Sequence, residues 1–253
     1  MRRLPKAWRW PVAGLLVAVV GSMVLPMNNV LWYVLGCAMM LTLLVGIAHR
    51  EVPFGLALAQ WRLGPDDESL LRARLASAVQ CAQQGSTGLA VERLEALVPD
   101  LAAALGDDHT LTLQARFIAL QLRSEHGHVP DRVAAMEGLS EEMNAALGPG
   151  DPEALAARIV LAEWLKEDGD TDAAQEVYRQ AVSVGTQELG ADHQMTLIAR
   201  GSLAVMRHDT PGVGRSAALE ELAAVVRDME RALGASHPNT VSTRRLLDQW
   251  TAA

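Results

Sequence analysis

The chain has 253 residues, half of them apolar but only 4% aromatic, so alanine and leucine carry its apolarity and favour helix over sheet. Six of the 22 Lys and Arg residues precede Leu63 but only one of the 30 acids, Glu51, does, leaving 16 basic against 29 acidic residues from Leu63 on, a net −13. Such an acidic body repels a phosphate backbone and excludes nucleic acid as an expected partner.

From Pro11 to Ala48 there is no charged side chain, and the run is broken only by Pro26-Met27-Asn28-Asn29, which reads as a turn. Residues 1–50 are therefore expected to form a basic N-terminus and two transmembrane helices, a hairpin with spans at 11–26 and 30–48 in a lipid bilayer. Trp8 and Trp10 before the first span, and Trp32 and Tyr33 after the turn, supply interfacial aromatics. Arg2, Arg3, Lys6 and Arg9 flank one side and Arg50 and Arg62 the other, with nothing basic in the turn. The positive-inside rule then predicts a multi-pass protein of the cell membrane with N- and C-termini cytoplasmic. A cleaved signal peptide is the competing reading, but no small-x-small site follows Val24 and a second apolar span does. Residues 51–62, with Phe54, Leu56, Leu58 and Trp61, are a juxtamembrane linker or lie along the headgroups. Cys37 in the apolar run and Cys81 in an amphipathic helix are poor disulfide partners, which is compatible with a reducing compartment.

Beyond this point the chain repeats. A Leu-Gly pair followed by a polar turn recurs at Leu63, Leu105, Leu147, Leu189 and Leu233, and eleven residues after each leucine stands an arginine: Arg74, Arg116, Arg158, Arg200 and Arg244. Glycine suits the left-handed position that ends a helix, and Asp151-Pro152 or His237-Pro238 suits an N-cap followed by proline. A second break near Gly85, Gly127 and Gly169 makes each unit helix, turn, helix. The repeat region, 63–253, divides into 63–104, 105–146, 147–188, 189–232 and a capping helix in 233–253, nine helices in an all-α solenoid. Stacking is required because a lone helix pair cannot bury its apolar face.

In the third unit Leu161, Ala162, Leu165, Gly169, Ala174, Tyr178 and Ala181 resemble the signature of a tetratricopeptide repeat. The 42-residue period, and turns such as Leu-Gly-Ala-Asp-His-Gln-Met-Thr-Leu at 189–197, resemble the longer subtype found in kinesin light chains and many bacterial proteins. The resemblance implies a right-handed superhelical arc. It is imperfect: the Ala174 column reads Ala90, Arg132 and Ala218 elsewhere. The column where kinesin light chains often carry Asn reads Ala76, Ile118, Val160 and Ser202, so kinesin-type cargo is not carried over.

The recurring His109, His193 and His237 invite a metal, but equivalent positions in successive repeats lie about two helix diameters apart, too far for one ion. They read instead as helix-start residues. His126 and His128, near Asp131, lack a further ligand. The arginine ladder is a ligand row or, more economically, a set of pairs with turn acids such as Asp66, Asp107, Asp151 and Asp192, or with helix-end carbonyls. Pro211-Gly212-Val213-Gly214-Arg215-Ser216 lacks the ending of a phosphate loop, and no nucleophile elbow, HExxH, CxxC or dinucleotide fingerprint occurs. No enzyme, no metal and no cofactor is expected.

In the tetratricopeptide family the concave groove, lined by the first helix of each repeat, holds peptides. Registered on the third unit, the inner row here comprises Leu75, Val79, Phe117, Gln121, Ile159, Glu163, Lys166 and Val205, followed by His208; some of these compete for a place in the inter-helix core. The resulting expectation is a membrane-anchored adaptor that binds a peptide or helix of an unidentified partner protein. An alternative makes the hairpin the working part of a transport or secretion assembly, with Gly14, Gly21, Gly36 and Gly46 permitting close packing.

Overall fold

A computed structural model describes residues 66–127, 129–209 and 215–252 of the chain. Among them are nine α-helices and no strand: α1 Glu68–Gln83, α2 Thr87–Leu105, α3 Thr110–His126, α4 Arg132–Leu147, α5 Pro152–Glu167, α6 Thr171–Val184, α7 Gln194–Asp209, α8 Arg215–Ala232 and α9 Pro238–Thr251. The end of α6 widens into a π-helical turn, Gly185–Leu189. The chain separates after Ser77 into two compact units. In the first, Asp67 accepts hydrogen bonds from the Ser69 and Leu70 amides at 3.0 and 3.4 Å and caps the start of α1, where Leu70, Leu71 and Leu75 are buried.

In the second unit the recurring sequence turns have one physical form. Gly106, Gly148, Gly190 and Gly234 stand at φ of 101°, 94°, 96° and 97°, a backbone region that L side chains rarely adopt. Three residues after each of them comes a cap. His109, His193 and His237 accept hydrogen bonds through Nδ1 from the amides of Leu111, Met195 and Asn239, at 3.2, 3.2 and 3.3 Å. At the same place Asp151 accepts from Glu153 and Ala154 at 2.8 and 3.3 Å. A ring nitrogen thus does at three junctions what a carboxylate does at the fourth, occupying helix-start amides that have no partner within the helix.

Packing is built of three-helix layers. Leu113 and Phe117 of α3, Met136, Leu139 and Met143 of α4, and Leu161 and Trp164 of α5 make one core. Leu155, Ile159 and Ala162 of α5, Ala174, Tyr178 and Ala181 of α6, and Ala199, Leu203 and Met206 of α7 make the next. Leu197, Val225 and Met229 continue it between α7 and α8. Each second helix is shared by the helix before it and the one after it, as stacking requires.

The expectation of a multi-pass membrane protein with cytoplasmic termini is corrected by these helices. Among the described residues none is long and apolar enough to cross a membrane. The longest, α2, has 19 residues and carries Glu92, Arg93, Glu95 and Asp100, whereas a span needs about 20 predominantly apolar residues. The hairpin assigned to 11–26 and 30–48, and the linker 51–62, lie outside the described residues.

Candidate interaction groove

The arginine ladder resolves into clasps between helices rather than pairs with turn acids. Arg116 on α3 meets Glu142 on α4 at 2.6 Å, Arg200 on α7 meets Asp228 on α8 at 2.9 Å, and Arg244 on α9 meets Glu230 on α8 at 3.0 Å. Arg158 is the exception: in its register the position of Glu142 and Asp228 is Val184. No acid among the described residues pairs with Arg158, and burial alone pushes its guanidinium below the usual range. Among the described residues no cluster of His, Cys, Asp and Glu is arranged to hold a metal. Residues 210–214 and His128 lie outside the described set.

A concave cavity of about 490 Å³ opens instead between α5, α7 and α9. Glu163, Lys166 and Glu167 stand on its α5 side, Ile198, Ser202 and Val205 on α7, Asn239, Ser242, Thr243 and Leu246 on α9, with Tyr178 and Met229 reaching it from the second helices. The spacing follows from helix geometry: residues three and four apart share a face, so 198, 202 and 205 form one stripe and 239, 242, 243 and 246 another. Apolar side chains therefore alternate with short hydroxyls and an amide, a mixture suited to holding main-chain and side-chain groups of a second polypeptide.

Its electrostatics are uneven. Lys166 is turned to Asp209, 2.7 Å away, and Asp209 also meets His208 Nδ1 at 3.2 Å. The His208 ring stacks on Trp250 with centroids 3.6 Å apart, tying the end of α7 to the capping helix. Burial works to raise the Asp209 carboxyl, but hydrogen bonds from Lys166 and His208 outweigh it and hold the group below its ordinary range. Glu167 is held by Arg132 at 2.9 Å. Glu163 has no ion-pair partner among the described residues. Although solvent reaches it, the surrounding protein walls and the charge of Glu167 raise its carboxyl above the usual range, with Lys166 opposing. Below it Tyr178, 2% exposed, shares a hydrogen bond with Ser202. Burial first, and the charge of Glu163 second, keep its hydroxyl well above the usual phenol range.

Of the side chains expected on the inner row, Glu163, Lys166 and Val205 line this cavity. Phe117 and Ile159, 5% and 4% exposed, do not: each is part of an inter-helix core. Their stripe packs against the second helix of the same unit and the first helix of the next, so the apolar face of a first helix is wider than a groove alone would need. Leu75 is buried within the first unit, and Val79 and Gln121 are half-buried. Sequence reasoning missed the stripe on α9 and the contributions of Tyr178 and Met229. The α9 residues carried a signal, since Leu246 and Ser242 occupy the register of Ser202 and Ile198 two extra residues on.

Residues 154–194 match the tetratricopeptide repeat family. That stretch runs from the first turn of α5 through α6 and its π turn to the start of α7, so the groove is built on a tetratricopeptide unit and the helices that follow it. Twenty-seven solved chains are similar to this one. Two crystal structures of a Podosopora anserina protein described as a kinesin light chain with nearly identical TPR-like repeats, one carrying a point substitution, each share 25% identity at a TM-score of 0.56. Each covers 74% of this chain, which spans 85% and 86% of theirs. No curated protein matches the sequence. The described residues thus form an all-α, solenoid-like repeat fold that contains a tetratricopeptide unit, the kind of fold that serves as a protein-interaction scaffold.

Proposed function

We propose that this protein is a non-enzymatic adaptor whose groove between α5, α7 and α9 holds a peptide or helix of a partner protein. The observation that carries the reading is the cavity itself: Ile198, Val205 and Leu246, all partly exposed, open onto a common space together with Ser202, Asn239, Ser242 and Thr243. Such a surface is complementary to an amphipathic segment, whose apolar side chains fill the pocket while its polar groups meet the rim. The similarity to kinesin-light-chain repeats supports the class of function without supplying the cargo. A photo-crosslinking residue at Val205 or Ser242 in the full chain should capture one partner in cells, and the same residue at Glu220 on α8 should not. Equal capture at all three positions would refute the groove as the docking face.

A further inference from the structure

We infer that the segment held in this groove presents a basic side chain, arginine or lysine, next to a bulky aliphatic one, and that Glu163 is its counter-charge. This rests on the groove being the docking face and adds what the face selects. One charge is left over on the α5 wall. Three charged side chains stand on the α5 wall, and two are already engaged, Lys166 with Asp209 at 2.7 Å and Glu167 with Arg132 at 2.9 Å. Glu163 alone meets no cation among the described residues, yet it stands against the cavity that Val205 and Leu246 line.

Glu163 is open to solvent on one side, but the walls beside it strip part of its hydration and Glu167 repels it, with Lys166 opposing, so its ionised form is disfavoured in the free protein. An incoming guanidinium relieves both, replacing water with a charge-assisted hydrogen bond. An acidic segment would meet Glu163 and the net −13 of the repeat region, so the same carboxylate rejects the opposite charge. Beneath it the Tyr178 hydroxyl is already satisfied by Ser202, which leaves Glu163 as the group that distinguishes a basic from a neutral ligand. The aliphatic neighbour is set by Val205, Ile198 and Leu246, which offer apolar surface within one side-chain length.

The test uses the purified full chain and two labelled peptides identical except at one position: arginine between leucines on an alanine–glutamine background, and the same peptide with citrulline. Fluorescence anisotropy should show the arginine peptide binding about tenfold tighter. Glu163→Gln should abolish that preference, and Glu220→Gln on α8 should keep it. Equal affinities for the native protein, no binding of either peptide, or a preference that survives Glu163→Gln would overturn the inference. Val205→Asp separates the two levels: it should weaken both peptides, and if it leaves both unchanged the groove reading itself fails. A third probe, residues 2–10 of this chain, Arg-Arg-Leu-Pro-Lys-Ala-Trp-Arg-Trp, decides between a partner and the chain itself. If it outcompetes the arginine peptide, the occupant is the protein's own N-terminus and the assignment to a partner falls.

Discussion

Two neighbouring layers of the molecule solve the same packing problem with opposite materials. The layer of α3, α4 and α5 is filled by Phe117, Met136, Met143 and Trp164, and is closed at its edge by Arg116 with Glu142 and by Arg132, which reaches Glu167 and Asp168 and lies over the Trp164 ring at 5.5 Å. The layer of α5, α6 and α7 sets four alanines, Ala162, Ala174, Ala181 and Ala199, among Leu155, Ile159, Tyr178, Leu203 and Met206. Where α4 has the buried Met143, α6 has Gly185, and where α4 has Glu142, α6 has Val184. The helix end there opens into a π turn, and a Cβ built on Gly185 would lie 2.8 Å from Thr196 Oγ1 and 3.1 Å from Leu155 Cδ2. Thr112 donates to the Gly106 carbonyl at 2.8 Å, but Thr196, its counterpart, is buried without a hydrogen-bond partner among the described residues. One layer is stabilised by volume and clasps, the other by close backbone approach, and the groove opens beside the second.

The largest expected effect lies in the first layer. Phe117→Ala should cost about 3–5 kcal/mol of unfolding free energy, as truncating a buried aromatic does, measured by urea titration of the full chain. A loss below 1 kcal/mol would show that Phe117 is not core. In the second layer the sign of the volume change reverses. Gly185→Ala should destabilise by about 1–3 kcal/mol through overpacking, and a neutral or stabilising outcome would remove the close approach as the reason for glycine.

Giving the second layer the missing clasp should help a little. Val184→Glu places a carboxylate in the register that Arg116 and Arg200 use, for an expected gain of about 0.2–1 kcal/mol that shrinks with salt. A gain unaffected when Arg158 is also changed to Met would disprove the pairing.

The smallest effect is at the groove. Glu163, though solvent-exposed, has its carboxyl raised by the protein walls beside it and by Glu167, against Lys166, so the folded chain binds that proton more tightly than the unfolded chain and the ionised group opposes folding. Glu163→Gln should therefore be slightly more stable than the native protein at neutral pH. The difference should vanish as pH falls through the carboxylate range. A variant less stable at neutral pH would mean that Glu163 is structurally engaged.

The departure at Arg132 illustrates where sequence reading stops. Ala90, Ala174 and Ala218, in its column, are buried and lie fourth in their helices, whereas α4 begins at Arg132 itself, one turn late. The cation therefore stands at a helix start, free to reach the next turn, and a periodicity argument has no means of seeing that the helix is short. The three histidines are the converse. Their recurrence after each Leu-Gly already marked them as helix-start residues, and the caps they form are interactions with amides two residues away.

What the sequence determined by itself is everything that is settled within a few residues: the all-α class, the helix stops at Gly106, Gly148, Gly190 and Gly234, the capping residues three positions later, and the repeat that forces stacking. What only the tertiary structure decided is which side of each first helix meets a neighbour and which meets open space. Phe117, Ile159 and Val205 are all apolar side chains on first helices, yet the first two close a core and the third lines a groove. That choice depends on the helices packed on either side, whose identity and offset are set many tens of residues away and leave no mark in the local pattern.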